Sequence, residues 1–95
     1  MTSHLPAVEL IYFTGCPNVE SARANLRTAL SAKGLTPEWR EWDQKDASAP
    51  ARMKQYGSPT VLVDGEDVTG AESVVAMACR SSGAPTADQI LRALG

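Results

Sequence analysis

A strand-to-helix junction that carries a cysteine is the feature that most restricts how this chain can fold. Residues 7–13 read Ala-Val-Glu-Leu-Ile-Tyr-Phe, an almost continuous apolar run that predicts a central strand covered on both faces. From Pro17 to Lys33 apolar residues recur at helical spacing, and Gly34 follows as a C-terminal stop. Cys16 therefore stands where the chain leaves the strand and enters the helix.

The position of Cys16 favours a reactive thiol. Backbone N–H groups and the positive end of the helix dipole favour the thiolate at a helix N-terminus, and the thiolate is the form that attacks disulfides and binds soft metals. Pro17 fits the first helical position, where its missing N–H costs nothing. The alternative is a small cysteine that is simply buried in the core, as free cysteines often are.

The rest of the chain predicts a small α/β fold. A second strand is expected over residues 38–43, near an edge of the sheet, with Trp39 and Trp42 on opposite faces. These indoles are expected in the core, although they would also suit a binding groove. A third strand over residues 60–64 is followed by a predicted turn at Gly65-Glu66 and a short antiparallel partner over residues 67–69, and Asp64-Gly65 is a good hairpin signal.

Helices are expected in three further places. A short one ends near Gly57, a second covers residues 71–80, and the last covers residues 86–94 with Thr86 as its N-cap. The first strand and the second must be parallel with a right-handed crossover, because a helix connects them. The pattern is that of a single α/β domain over residues 1–95.

Composition limits the classes of partner. The chain has 95 residues and a net charge of -2, without a basic run, so a nucleic acid partner is not expected. No apolar run reaches the length of a membrane span, and no basic segment precedes a signal-like core. We therefore expect a cytoplasmic protein without a membrane partner, as a monomer or a weak dimer, whose two cysteines are thiols in a reducing compartment.

A second motif gives the junction a family context. Residues 57–65 read Gly-Ser-Pro-Thr-Val-Leu-Val-Asp-Gly, and Val-Thr-Gly follows at residues 68–70. Together with Thr-Gly-Cys-Pro-Asn-Val at residues 14–19, this motif resembles the thioredoxin-like superfamily, and within it the glutaredoxin-type minimal domain, over nearly the whole chain. The resemblance implies a thioredoxin-like three-layer sandwich, in which a four-stranded mixed sheet has helices on both faces.

The resemblance also implies roles for particular residues. Cys16 would be the catalytic cysteine, and Pro59 would be a cis-proline that begins the third strand and faces it. Without the resemblance, Pro59 would be an ordinary trans proline that opens an edge strand. The residues expected to contact a thiol substrate are Thr14, Gly15, Pro17, Ser58, Pro59 and Glu72. Glu72 enters because residues 70–73 resemble the glutaredoxin turn that receives the γ-glutamyl group of glutathione.

Two departures from the family pattern bear on the chemistry. Val19 occupies the place of the second, resolving cysteine, so Cys16 cannot close the usual local disulfide. Phe13 stands where many glutaredoxins have a lysine that pairs with glutathione. A monothiol reaction is therefore expected, in which the mixed disulfide of Cys16 is resolved by an external thiol.

A closer similarity is to a group of proteins associated with mercury. The junction, the Glu41-Trp42-Asp43 step, the Pro59 motif and Cys79-Arg80 are similar to small bacterial thioredoxin-like proteins labelled as alkylmercury lyase or as associated with mercury resistance. Cleavage of a carbon–mercury bond needs soft thiolates and an acid. The sequence offers Cys16 and Cys79 as thiolates, and the candidate acids are Asp43, Glu20 and Glu72.

Cys79 decides between these interpretations. On the predicted helix over residues 71–80 it follows Val75 by one turn, which favours a buried structural thiol. If it approaches Cys16, the two can form a disulfide or a two-thiolate site for a soft ion. The charged residues of the first helix, Glu20, Arg23, Arg27 and Lys33, are expected on its solvated face.

The sequence thus predicts a monothiol thioredoxin-like thiol-disulfide oxidoreductase that acts through Cys16 on a small thiol or a protein disulfide. No cofactor is required, although glutathione would suit the external thiol. The alternative is a protein that binds mercury, copper or an iron–sulfur cluster, or that processes organomercurials, through Cys16 with or without Cys79. A thioredoxin-like adaptor without chemistry is the third possibility.

Overall fold

The computed structural model describes residues 6–13, 15–51, 56, 58–69 and 84–95. The elements in this part of the chain are β1 Val8–Tyr12, α1 Val19–Ala32, β2 Arg40–Asp43, β3 Thr60–Val63, β4 Glu66–Asp67 and α2 Ala87–Leu94. The strands form one mixed sheet in the order β2-β1-β3-β4. An α/β fold with a four-stranded mixed sheet is therefore confirmed.

The sheet is organised around β1. This strand pairs in parallel with β2 on one side and antiparallel with β3 on the other. Its central position and the edge position of β2 confirm the expectation from their sequences, since β1 is almost entirely apolar and β2 reads Arg-Glu-Trp-Asp. All four residues of β3 are buried, as a strand covered on both faces requires.

Both described helices pack on the same face of the sheet. The main core joins Leu10 of β1 and Val61 of β3 to Leu26 of α1 and Ile90 of α2. A smaller cluster on the opposite face contains Ile11 and Leu62. The helix predicted over residues 71–80 lies outside the described residues, as does most of the short helix predicted before Gly57.

The two tryptophans lie on opposite faces, as predicted. Trp39 packs against the main core and Trp42 packs against the smaller cluster, where its indole donates a 2.7 Å hydrogen bond to Glu9. The predicted start of β2 at Glu38 is wrong, because the strand begins at Arg40. The Glu38 N–H instead donates to the carbonyl of Thr36 at 2.8 Å, a tight turn that delays the strand.

Helix α1 begins later than predicted. The N-cap is Asn18, so Pro17 precedes the cap and does not occupy the first helical position. A turn explains the shift, because the Val19 N–H donates to the carbonyl of Cys16 at 3.4 Å before the helical hydrogen bonds begin. Cys16 thus lies in the turn that leads into α1.

The end of α1 matches its sequence. Gly34 donates its N–H to the carbonyl of Ser31, and Leu35 donates to the carbonyl of Leu30, which is the hydrogen-bond pattern of a Schellman motif. Leu35 also packs against the core that contains Leu30. The stop predicted at Gly34 is confirmed.

The late hairpin is confirmed, and its turn is the Asp64-Gly65 pair that signals a hairpin in the sequence. Val63 pairs with Glu66, so Glu66 belongs to the partner strand and not to the turn. Both turn residues have positive φ, at 52° and 85°, as a two-residue turn that matches the twist of its strands requires. The partner strand is therefore Glu66–Asp67, earlier than the predicted residues 67–69.

Helix α2 begins as predicted. The Thr86 hydroxyl accepts a hydrogen bond from the Gln89 N–H, and the Gln89 side chain accepts one from the Thr86 N–H, which completes a capping box. Ile90 is fully buried, and Leu91 and Leu94 pack against the same core. No helix among the described residues is long and apolar enough to cross a membrane.

Candidate functional site

Cys16 lies in a tight turn at the end of β1. Its backbone N–H donates to the carbonyl of Phe13 at 3.3 Å, and its side chain is only 7% exposed. Gly15 precedes it with a φ of 100°, a conformation that side-chain-bearing residues rarely adopt. The glycine therefore lets the chain turn sharply enough to direct Cys16 back against the sheet.

Ser58 and Pro59 directly precede β3, and Ser58 contacts this turn. The Ser58–Pro59 peptide bond is cis, which confirms the expectation for Pro59. Ser58 is fully buried, and its hydroxyl accepts a 3.3 Å hydrogen bond from the Phe13 N–H. The carbonyl oxygen of Ser58 lies 3.6 Å from the sulfur of Cys16. Ser58 therefore touches the cysteine turn through both its side chain and its backbone.

Cys16 is disulfide-bonded in this structure. A disulfide sulfur carries no hydrogen, so its approach to the Ser58 carbonyl becomes a weak hydrogen bond only when the thiol is reduced. The sequence contains one other cysteine, Cys79, which lies outside the described residues. The disulfide contradicts the expectation that Cys16 is a thiol. Cys16 is mostly buried and has also formed a disulfide, so it shares features of the two interpretations that the sequence left open, a buried cysteine and a reactive one.

A cleft of about 330 Å³ opens between β1 and α1, and Cys16 is one of its lining residues. Its lining residues are Tyr12, Phe13, Gly15, Cys16, Val19, Glu20 and Arg23. Tyr12 and Phe13 pack against the main core, but both are only half-buried, and they also form part of the cleft wall.

One wall of the cleft is an ion-pair network centred on Arg23. Its guanidinium donates two hydrogen bonds of 2.9 Å to the two carboxylate oxygens of Glu41 on β2. It also donates to Glu20 one turn earlier on α1, and it lies over the Tyr12 ring at 5.3 Å. Trp39 donates its indole N–H to Glu41 at 2.9 Å. The network fixes the start of α1 against the edge strand.

The same contacts shift the pKa of both partners. The hydrogen bonds from Arg23 lower the pKa of Glu41 below its ordinary value of 4.5, and the Trp39 indole adds to this effect, while partial burial opposes it. The hydrogen bond to Glu41 is the largest effect that raises the pKa of Arg23. The pair therefore stays ionised at neutral pH.

Further charges lie at the carboxyl end of β2. Asp43 pairs with Tyr12 across the sheet, and Gln44 donates its backbone N–H to the Tyr12 carbonyl at 2.7 Å. The Lys45 ammonium lies 5.4 Å from the centre of the Phe13 ring. The end of β2 therefore borders the cleft from the side opposite β3.

The structure brings together several of the predicted site residues. Gly15 and Cys16 line the cleft, while Ser58 contacts the turn and the buried Pro59 follows it. Pro17 is exposed beside Cys16 but does not line the cleft. Thr14, Glu72 and Cys79 lie outside the described residues. In the described part of the chain, no group of three or more histidine, cysteine or acidic residues could hold a metal ion.

Sequence reasoning missed the role of the Arg23 network. Arg23 was expected on the solvated face of α1, but its side chain is only 26% exposed and pairs with Glu41. The spacing of Glu20 and Arg23 does signal an ion pair within one helix turn. The pairing with Glu41 has no such signal, because it depends on how α1 lies across the sheet.

Comparison with known proteins does not identify a family for this chain. The functional argument therefore depends on the cysteine turn, its contact with Ser58 and the cleft beside it. No protein-family model, curated protein or solved structure matches this chain.

Proposed function

We propose that this chain is a thioredoxin-like thiol-disulfide oxidoreductase that acts through Cys16 in a reducing, cytoplasmic setting. The observation that carries the proposal is that the disulfide-bonded Cys16 is one of the residues that line an open cleft between β1 and α1. A structural disulfide would gain nothing from such a cleft, whereas an exchanging one needs room for an incoming sulfur. The thioredoxin-like resemblance of the two motifs supports the same conclusion.

The proposed reaction is a pair of thiol–disulfide exchanges. The Cys16 thiolate attacks one sulfur of a substrate disulfide, forms a mixed disulfide and releases the other half as a thiolate. An external thiol such as glutathione then attacks the mixed disulfide and releases Cys16. Val19 cannot supply the second thiol, and its side chain is buried in the main core. The oxidised Cys16 of this structure must first be reduced by an external thiol before it can attack.

Ser58 suits a positioning role in this reaction. Its buried carbonyl lies 3.6 Å from the Cys16 sulfur, and its hydroxyl holds the Phe13 N–H at the start of the turn. These contacts limit the directions in which the sulfur can point. The incoming disulfide then approaches through the cleft between Tyr12, Val19 and Arg23.

The test uses glutathione disulfide with the pre-reduced protein. We expect intact-mass analysis to show one glutathione adduct on the wild type and on Cys79→Ser, and none attributable to the active site on Cys16→Ser. The rate of reduction of a glutathione mixed disulfide should fall to the uncatalysed level in Cys16→Ser alone. Equal rates for the wild type and Cys16→Ser would sink the proposal.

The same variants distinguish resolution of the mixed disulfide by an external thiol from resolution by Cys79. If an external thiol resolves the intermediate, Cys79→Ser turns over at the wild-type rate. If Cys79 resolves it, Cys79→Ser accumulates the adduct and turnover slows. Only the first result supports the monothiol form of the proposal.

The second candidate function is binding of a soft metal ion. It is favoured by the disulfide itself, because a bond to Cys16 implies that another sulfur can come within bonding reach of it. After reduction, two neighbouring thiolates suit a two-coordinate soft ion such as Hg(II), and Cys79 is the candidate second ligand within the chain. Glu20 lines the cleft and is the described acid best placed to protonate a carbon leaving group.

One equivalent of Hg(II) tests this second candidate. Binding that needs both cysteines, together with no glutathione uptake at Cys16, would favour the metal-binding function. Uptake no greater than that of a double Cys→Ser variant would exclude it. Copper(I) and iron–sulfur loading can be measured on the same variants.

A further inference from the structure

The charged groups around the Cys16 cleft are unevenly balanced. Glu20 and Arg23 line the cleft itself, and Arg23 is fully engaged, with one carboxylate on each side. Glu41 uses both oxygens on Arg23 and so belongs to the same network. The network therefore holds two carboxylates against one guanidinium, and its excess charge is negative.

Glu20 is the member of this network that faces solvent. Its side chain is 75% exposed, whereas Arg23 is 26% exposed and Glu41 is 30% exposed. Its contact with Arg23 uses only Oε1. A substrate that enters the cleft therefore meets the Glu20 carboxylate before it meets the guanidinium.

The charges at the carboxyl end of β2 do not offset the negative excess of the Arg23 network. The residues that follow Trp42 carry two carboxylates, Asp43 and Asp46, and one ammonium, Lys45. Asp43 pairs with Tyr12 of the cleft wall, and Lys45 lies over the Phe13 ring. Within the described residues, the Arg23 network and residues 43–46 each carry one more negative than positive charge. The nearby cations Arg27 and Arg40 lie further from Cys16, since Arg27 is one turn further along α1 and Arg40 pairs with Glu9 at the start of β1.

We propose that the Cys16 cleft selects positively charged thiols and disulfides over negatively charged ones, and that Glu20 is the residue that sets this preference. The inference rests on the proposed thiol–disulfide exchange at Cys16. In that exchange the Cys16 thiolate forms a bond to one sulfur of the cationic disulfide, the sulfur–sulfur bond of the substrate breaks, and the other half leaves as a thiolate. Glutathione, whose net charge is negative, would then be a poorer partner than a cationic thiol of similar size.

The size of the effect follows from Coulomb attraction at the mouth of the cleft. A single exposed carboxylate about 8 Å from a substrate ammonium changes the encounter by about twofold to threefold in water. The effect should fall as salt rises, because the screening length drops to about 3 Å in 1 M salt. A larger preference for the cationic substrate, or one that does not depend on salt, would require interactions other than charge attraction.

Three small disulfides of similar length provide the probe. Cystamine is cationic, hydroxyethyl disulfide is neutral, and dithiodipropionate is anionic. Each is mixed with the pre-reduced Cys79→Ser protein, and the mixed disulfide at Cys16 is measured by intact mass after an acid quench. Rates are divided by those of a neutral cysteine derivative with the same disulfides, which removes differences in intrinsic reactivity. If Cys79→Ser fails to fold, the wild type is used and the adduct is mapped to Cys16.

The matched variants are Glu20→Gln and Glu66→Gln. Glu66 lies on the exposed β4 and pairs with Val63, which also pairs with Val8 at the end of β1 remote from Cys16. Both substitutions remove one carboxylate, but only Glu20→Gln removes it from the cleft.

We expect cystamine to react faster than hydroxyethyl disulfide, and dithiodipropionate to react more slowly. Glu20→Gln should reduce the ratio of the cystamine rate to the neutral rate by about twofold to threefold at low salt, and Glu66→Gln should leave it unchanged. A preference for dithiodipropionate, or equal effects of the two substitutions, would overturn the inference. If hydroxyethyl disulfide itself gives no reaction that depends on Cys16, the proposed function fails rather than the charge selection.

Discussion

Ser58 is the residue on which the geometry of the cysteine turn most depends. Its hydroxyl accepts the Phe13 N–H and its carbonyl approaches the Cys16 sulfur, and the residue is fully buried. Ser58→Ala removes the hydroxyl and leaves the Phe13 N–H without this acceptor. We expect the free energy of unfolding to fall by about 1–3 kcal/mol, the cost of a buried polar group that loses its partner.

Urea unfolding of Ser58→Ala measures this loss. Ser31→Ala is the matched control, because Ser31 is exposed on the last turn of α1 and should change stability by less than about 0.5 kcal/mol. The reaction rate of reduced Cys16 with a neutral disulfide should change in Ser58→Ala and stay constant in Ser31→Ala. Equal stability of the two variants would show that the hydroxyl contact contributes nothing.

Gly15 makes a different contribution to the same turn. A Cβ added at this position would meet no atom within 4 Å, so an alanine finds enough space. The backbone φ of 100° is nevertheless unfavourable for any side-chain-bearing residue. Gly15→Ala should therefore destabilise the fold by about 1–2 kcal/mol through the backbone alone. Thermal or urea unfolding checks this, and an unchanged midpoint would mean that the turn relaxes to another conformation at no cost.

Single residues also show which contacts the sequence could predict and which it could not. The resemblance implied that Cys16 and the Pro59 motif lie together. Ser58 does contact the cysteine turn, because the antiparallel pairing of β3 with β1 brings both to the same end of the sheet. The pairing of Arg23 with Glu41 was not predictable, since it joins two elements whose relative position depends on the packing of the whole sheet. Tyr12 packs against the main core as its strand pattern indicates, but its place in the cleft wall was not predictable, because the cleft depends on how α1 lies beside β1.

Among the secondary-structure elements, α2 tests whether a local sequence signal, its capping box, stabilises the fold. This helix has only eight residues, too few to be stable alone, so it depends on tertiary packing and on its capping box. Thr86→Ala removes the hydroxyl that accepts the Gln89 N–H, and we expect the free energy of unfolding to fall by about 1 kcal/mol. Thr86→Ser keeps the acceptor and should retain most of the stability.

Urea unfolding of these two variants distinguishes capping from packing. Thr86 is exposed, so neither substitution removes a buried contact. If Thr86→Ser is as destabilised as Thr86→Ala, the capping hydrogen bond is not the cause. Ile90 of the same helix is fully buried, so it stabilises the helix by packing in the core and not by capping.

The interiors of the described elements were predicted better than their ends. Apolar periodicity located β1, α1, β3 and α2, because burial of one face is a property of many residues at once. The starts of α1 and β2 were misplaced by about two residues, the usual uncertainty of element ends, since each depends on one backbone hydrogen bond. The Asp64-Gly65 signal located the hairpin turn, but the assignment of Glu66 to the turn was wrong, because Glu66 pairs with Val63.

For the whole molecule, the topology is what creates the cleft. The central β1 delivers Cys16 at its carboxyl end, β3 runs antiparallel and brings Ser58 to the same end, and the parallel β2 brings Glu41. Helix α1 then crosses over this end and closes one side through Arg23. The site is thus a meeting point of four elements, which explains why no single motif could reveal all of it.

The ion pair between α1 and β2 makes stability depend on pH. Arg23 lowers the pKa of Glu41 in the folded protein, so folding favours the ionised carboxylate. This contribution is present at neutral pH, above the ordinary carboxyl value of 4.5, and it is lost as the pH falls through that value and below the lowered folded pKa. The raised pKa of Arg23 keeps the guanidinium charged throughout, so Glu41 alone sets the pH range.

Glu41→Gln isolates this contribution, because glutamine keeps the shape and removes the charge. Both side chains are partly exposed, so we expect the variant to be less stable than the wild type by less than about 1 kcal/mol at neutral pH and low salt. The difference should shrink steadily below pH 4.5 and in high salt. Glu38→Gln makes the same chemical change where no described ion pair is lost, and its difference from the wild type should not follow this course. Urea unfolding between neutral and acidic pH measures both, and a Glu41→Gln difference that stays constant down to strongly acidic pH would mean that Arg23 and Glu41 do not hold α1 against β2 by charge.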